Sequence, residues 1–124
     1  MVEDRPMNLR EIVNLLHADV LAGNGLVDGI EVEHCFSADL MSDVLSRTHA
    51  NGILITGLTN PQAVRTADIA DIKAVCVVRG KQPEAATVSL AEQKEIPLFI
   101  TKLTMFETCG ILFTKGLRGV AARQ

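Results

Sequence analysis

Gly52-Ile53-Leu54-Ile55-Thr56-Gly57, followed at once by Leu58-Thr59-Asn60-Pro61, decides how the rest of the chain is read. A short β-branched apolar run ends in glycine, and Asn60-Pro61 then supplies a helix cap and a proline whose fixed φ suits the first helical position. The passage is a strand, a turn and a helix start. Ala63, Val64, Ala67 and Ala70 recur at helical spacing on one face, their small volumes allowing a helix to lie close on a sheet. Lys73-Ala74-Val75-Cys76-Val77-Val78 follows as the next strand, and its unbroken apolar run predicts burial on both faces.

The alternation continues in both directions. Downstream, Arg79-Gly80-Lys81 is a loop, Pro83 opens a helix that runs to about Lys94, and Ile96 to Thr101 is a strand with Pro97 at its tolerant start. Thr104 and Glu107 stand at capping-box spacing, and Met105, Phe106, Cys109, Leu112 and Phe113 are the expected core face of a last helix that Gly116 ends. Upstream, Asn8 and Glu11 suggest another capping box, with Leu9, Ile12, Val13, Leu15 and Leu16 as the apolar face of a helix over residues 8–16. Asp19 to Ala22 is a short strand. Gly23-Asn24-Gly25 tolerates the positive φ of a turn, Asp28-Gly29 tightens the connection, and Ile30 to Cys35 is the second strand.

Cys35-Phe36-Ser37-Ala38-Asp39-Leu40-Met41-Ser42-Asp43-Val44-Leu45 leads from that strand into a helix. Ser37 or Asp39 can cap it, Asp39 or Asp43 can instead face a ligand or partner, and Leu40, Met41, Val44 and Leu45 make the expected apolar face. Strands alternating with helices define an α/β fold, a three-layer α/β/α sandwich around a mainly parallel sheet.

Composition bounds the function. A chain of 124 residues fits one domain, with residues 1–6 as a polar extension expected to be disordered and 7–124 as the domain. Hydrophobic residues make up 48% and aromatics 3%, with no Trp or Tyr, and the net charge is -3. Binding of single-stranded nucleic acid, which needs aromatic platforms and a basic groove, is therefore not expected. Neither a secretory start nor an apolar run of about 18–20 residues is present, so the expectation is a cytoplasmic protein that does not enter a membrane. Three cysteines, Cys35, Cys76 and Cys109, form no CxxC pair and are read as free thiols. His17, His34 and His49 lack metal-ligand spacing, so no metal and no cofactor is assigned.

In an open parallel sheet, ligands bind at the carboxyl ends of the strands, where helix N-termini point their free amides. The residues that fall there are Ser37 and Asp39; Thr56, Gly57, Thr59 and Asn60; Arg79, Gly80 and Lys81; and Thr101, Lys102 and Thr104. A small anion such as a phosphate suits this edge, with Arg79, Lys81 and Lys102 supplying charge and Gly80 allowing close backbone approach. Caps and turn residues collect at the same edge for purely structural reasons. Ser37 lacks a GxSxG setting for a nucleophile, Cys76 sits in mid-strand, and nothing adjacent in sequence lowers the thiol pKa of Cys35 or Cys109. No catalytic residue is assigned.

Over nearly all of residues 7–117 the chain resembles a stand-alone member of the DRTGG domain family. The segments that carry the likeness are Val20 to Gly23, Ser37 to Val44, Gly52 to Asn60, and Lys102-Leu103-Thr104-Met105-Phe106-Glu107-Thr108-Cys109-Gly110. The resemblance implies a fold like the N-terminal domain of HPr kinase and a non-catalytic regulatory or dimerising role. Together with the polar strand-end edge and an apolar content high for so small a domain, it leads to the expectation of a homodimer that binds a nucleotide-like anion or a protein partner. Similar domains accompany CBS pairs, pyrophosphatases and long phosphotransacetylases, and free-standing copies occur beside iron-only hydrogenase genes, which implies a redox setting. Where the family's Asp and Arg stand, this chain has Leu58 and Thr59, and where its Thr-Gly-Gly stands it has Arg79-Gly80-Lys81, so Gly80 alone is kept. No GxxxxGK[ST] phosphate loop is present, so kinase activity is not expected. The competing reading is a small enzyme or redox accessory protein using Ser37, Asp39 or Cys35.

Overall fold

The computed structural model describes residues 5–46 and 51–119. Its elements are β1 (Met7–Asn8), α1 (Leu9–Leu15), β2 (Asp19–Ala22), a 3-10 turn (Val27–Gly29), β3 (Glu31–Val32), β4 (His34–Ser37), α2 (Met41–Ser46), β5 (Gly52–Thr56), α3 (Gln62–Ala70), β6 (Ala74–Val77), α4 (Ala85–Lys94), β7 (Leu98–Ile100) and α5 (Met105–Thr114). β4, β5, β6 and β7 are parallel in the order β7-β6-β5-β4, and β2 adds antiparallel to the outer edge of β7. β1 and β3 form a separate antiparallel pair.

Two hydrophobic cores sit on opposite faces of the sheet, and strand periodicity sorts the residues between them. Ile53, Ile55, Ala74, Cys76 and Phe99 point to the face covered by α1 and α5, where Leu9, Ile12, Leu16 and Leu112 meet them. Leu54, Val75, Val77 and Leu98 point to the other, where they meet Met41, Val44, Ala63, Val64, Ala67 and Ala91 of α2, α3 and α4. The result is the expected three-layer sandwich. Every residue of β5 and β6 is buried. The small side chains of α3 lie fully inside, as their spacing predicts.

Several element boundaries and faces differ from the sequence reading. Asn8 does cap α1, but its side chain accepts from Arg10 N, while Glu11 turns away to pair with Arg5 at 2.9 Å, so the capping box is half made. The expected strand Ile30–Cys35 divides at Glu33 into β3 and β4 because its first part pairs with β1 and its second with β5. α4 starts at Ala85, two residues after the buried Pro83, and the last strand shortens to Leu98–Ile100.

The two helices nearest the β4 edge bury narrower stripes than their apolar residues allow. α2 buries Met41 and Val44, leaving Leu40 61% and Leu45 40% exposed. α5 meets the sheet through Thr108 and Leu112, with Met105 and Cys109 packed alongside, so Phe106 (86% exposed) and Phe113 (59%) stand outside it. A helix lying flat on a sheet covers one stripe at i, i+3, i+4 and i+7, and residues one step round the helix fall beyond it. Of the expected N-terminal extension, residues 1–4 lie outside the described range. Arg5 donates its backbone N–H to Gly116 O. His49 also lies outside it.

Gly52 opens β5 directly beneath the Phe36 ring: a methyl group there collides with Cε2, lies 2.9 Å from Cδ2 and 3.3 Å from His34 O. Gly52→Ala is therefore expected to destabilise the fold by about 1–3 kcal/mol, as overpacking does. At Gly110 an added methyl group meets nothing within 4 Å, so Gly110→Ala in α5 is expected to stabilise by about 0.5–1 kcal/mol. Urea midpoints at equal m-value measure both.

Candidate functional site

The carboxyl end of β5 is bound by a carboxylate from the neighbouring connection. Asp39, between β4 and α2, accepts through Oδ1 from Gly57 N at 2.7 Å and from Thr56 Oγ1 at 3.1 Å. Thr56 Oγ1 in turn accepts from Leu58 N at 3.1 Å, which uses the hydroxyl in both directions. Ionised acceptors make the stronger hydrogen bonds, so Asp39 fixes the β5–α3 loop. Asp39 is thus turned sideways to a neighbouring strand, and among the described residues it does not cap α2.

The same loop is tied at its far side. Thr59 O accepts from Glu84 N at 3.0 Å and from Thr87 Oγ1 at 2.8 Å, joining it to the start of α4. Asn60 Oδ1 accepts from Gln62 N at 2.9 Å, and Pro61 is already αR at φ -61°, so the pair starts α3 in the expected manner.

After β6 the backbone turns through two left-handed residues, Arg79 (φ 62°) and Gly80 (φ 64°). A non-glycine residue there costs about 1–2 kcal/mol. Arg79 N to Leu103 O and Gly80 N to Thr101 O, both at 2.8 Å, hold the turn against the β7–α5 loop. This geometry brings Arg79 to Gly57. A methyl group at Gly57 would lie 3.4 Å from Asp39 Oδ1 and 3.5 Å from Arg79 Nη2, so carboxylate and guanidinium flank one bare Cα. Lys102 flanks Gly80, its Cγ 3.7 Å from where a Cβ would stand. Arg79, Lys81 and Lys102 are exposed, and among the described residues none of their charged ends forms an ion pair.

Two residues named from sequence lie apart from this cluster. Thr104 is the N-cap of α5: its hydroxyl accepts from Glu107 N and Glu107's carboxylate reaches back to Thr104 N, the capping box the spacing predicts. That hydroxyl is occupied. Ser37 belongs to a second cluster, which the sequence reading missed. Ser37 and Cys35, two apart on β4, share a cleft of about 360 Å³ with Cys109, Gly110, Phe106 and Phe113 of α5.

The thiols there are strongly polarised, contrary to the expectation that nothing lowers their pKa. The Cys35 S–H hydrogen-bonds the Cys109 sulfur, and with the Ser37 hydroxyl this outweighs partial burial and brings the Cys109 thiol down to about 6. Cys35 is pushed well above the ordinary range, first by that same bond and then by burial. Cys76, deep under the same helix, is raised chiefly by burial. Cys35↔Ile53 and Ile55↔Cys76 register place the sulfurs on one sheet face. Period-2 counting along β4 could have paired Cys35 with Ser37; nothing local pairs either with Cys109.

Among the described residues no group of three or more His, Cys, Asp or Glu side chains is placed to hold a metal, and no helix is long and apolar enough to cross a membrane. The DRTGG domain model matches residues 11–114. Among solved structures, the CBS and DRTGG domains of the regulatory region of Clostridium perfringens pyrophosphatase, complexed with the activator diadenosine tetraphosphate, superpose with a TM-score of 0.72 at 14% identity. That alignment covers 89% of this chain and 47% of the other, so this chain spans about half of its neighbour's length. The comparison with curated proteins gives no match.

A lowered thiol pKa leaves Cys109 protonated below it and ionised above it, and only the thiolate alkylates. Iodoacetamide labelling of Cys109 should therefore reach half its maximal rate near pH 6, where an ordinary thiol does so at about 8.5. Cys35→Ala and Ser37→Ala, each removing a donor, are expected to move that midpoint upward, the former more. Mass spectrometry of the labelled peptide reads it.

Proposed function

This chain belongs to the DRTGG domain family, and from that premise we propose that it is a non-catalytic regulatory module that binds a nucleotide-like anion at the carboxyl ends of β5 and β6. The observation that carries the reading is the approach of Arg79 and Asp39 to Gly57. A guanidinium that forms no ion pair among the described residues suits a phosphate, and the second oxygen of Asp39 suits a hydroxyl or amino donor, the two kinds of group that a nucleotide joins. Lys102, beside Gly80, extends the cationic side. Support also comes from the pyrophosphatase regulatory region, whose structure contains a dinucleoside polyphosphate. Arg79 and Lys81 replace neutral positions of the family pattern, so the ligand of this chain is expected to be more negatively charged, or to be an acidic surface of a protein partner.

The proposal includes a cytoplasmic homodimer. Leu40, Leu45, Ile69, Phe106 and Phe113 are large, apolar and exposed on a small domain, which favours self-association. The setting beside iron-only hydrogenases is supported by the family resemblance alone.

Calorimetry against adenine nucleotides, diadenosine tetraphosphate among them, is expected to show binding that Arg79→Ala weakens by about 1–3 kcal/mol with unchanged circular dichroism. Equal affinity of the two proteins for a nucleotide that binds would overturn the site. Failure of every nucleotide would leave the acidic protein surface as the ligand. Sedimentation at tens of micromolar, roughly the range of ordinary interface affinities, is expected to show a dimer; a monomer there counts against it.

A further inference from the structure

The Cys35–Cys109 cleft plays no part in the nucleotide reading and involves neither Arg79, Gly80 nor Lys102. We infer that Cys109 and Cys35 form a thiol–disulfide exchange site whose substrate is a low-molecular-weight disulfide, with Cys109 as the attacking sulfur and Cys35 as the resolving one.

Geometry carries the assignment. Cys109, on α5, and Cys35, on the edge strand β4, are both half-buried and free, and both line the same open cleft. Register with Ile53 puts Cys35 on the sheet face that α5 covers, so both cysteines pack against the same core and the cleft carries one thiol on each element. Beside Cys109 the helix carries Gly110, where an added side-chain carbon meets nothing within 4 Å, and this space admits the second half of a mixed disulfide. Phe106 and Phe113 wall the cleft. The third thiol, Cys76, is fully buried and has no route to a substrate.

The polarity of the pair divides the roles. A thiolate is the nucleophile in exchange, and Cys109 is the sulfur that ionises near neutrality, while Cys35 keeps its proton. Cys109 thiolate attacks one sulfur of RSSR, forming Cys109–S–S–R and releasing RS⁻, which takes a proton from water. Cys35 then attacks the Cys109 sulfur of the mixed disulfide, the Cys109–S–S–Cys35 bond forms, and the proton of Cys35 leaves with the second RSH. The dithiol is oxidised by two electrons and one disulfide is reduced to two thiols. The bond ties α5 to the β4 edge of the sheet.

The reduced 124-residue protein is treated under native conditions with glutathione disulfide, then denatured, its free thiols counted and its peptides mapped. The thiol count is expected to fall from three to one, with a Cys35–Cys109 cross-link and a mass lower by two hydrogens. Cys35→Ser should stop at a glutathione adduct on Cys109, Cys109→Ser should not react, and Cys76→Ser should behave as wild type. Wild-type protein that keeps three thiols, or that accumulates the Cys109 adduct without resolving it, overturns the inference. Because the wild type alone decides this, a variant that fails to fold does not weaken the test. Nucleotide binding is read separately, so either proposal can fail without the other.

Discussion

The constraint on which this molecule depends is the burial of β5 and β6 on both faces. Residues 52–56 and 74–77 are wholly inside, so each strand needs a neighbour on either side for its backbone and a helical layer above and below for its side chains. β4 and β7 supply the first. α1 and α5 on one face, and α2, α3 and α4 on the other, supply the second. With so few aromatic residues, close packing is achieved by small and branched side chains, among them the buried alanines of α3.

Parallel strands covered in this way end together, and their connections crowd at one edge. There groups of one connection shape the next: the Asp39 carboxylate fixes the end of β5, the Thr59 carbonyl anchors α4, and carbonyls of the β7–α5 loop hold Arg79 and Gly80 in left-handed conformations. Arg79 is thus held by a connection remote from it in sequence. At the β4 edge the same crowding has a different chemical result. α5 buries only one stripe against the sheet, so Cys109 comes to Cys35 while two phenylalanines remain in solvent.

Local pattern made much of the fold legible. The uninterrupted apolar runs gave the buried strands, the alanine spacing gave the inner face of α3, and Thr104 with Glu107 gave the start of α5, because each of these depends on contacts within a few residues. The pattern misled where length or width was decided by partners. Ile30–Cys35 reads as one strand but pairs with two different neighbours, and Phe106 and Phe113 read as core although they lie one step round α5 from the stripe that faces the sheet.

By itself, then, the sequence determined the alternation of strands and helices, the mainly parallel sheet, the strand-end position of Gly57, Arg79 and Gly80, and likeness to a regulatory domain family. Tertiary structure alone decided which of those polar groups meet. Asp39 lies eighteen residues from Gly57, and Cys35 lies far from Cys109 in the chain, yet the packed fold joins the first pair by a hydrogen bond and puts the second in one cleft. Hydrogen bonds and thiol polarity act over a few ångströms, and distances of that order between remote segments are set by packing, which no local spacing in the chain encodes.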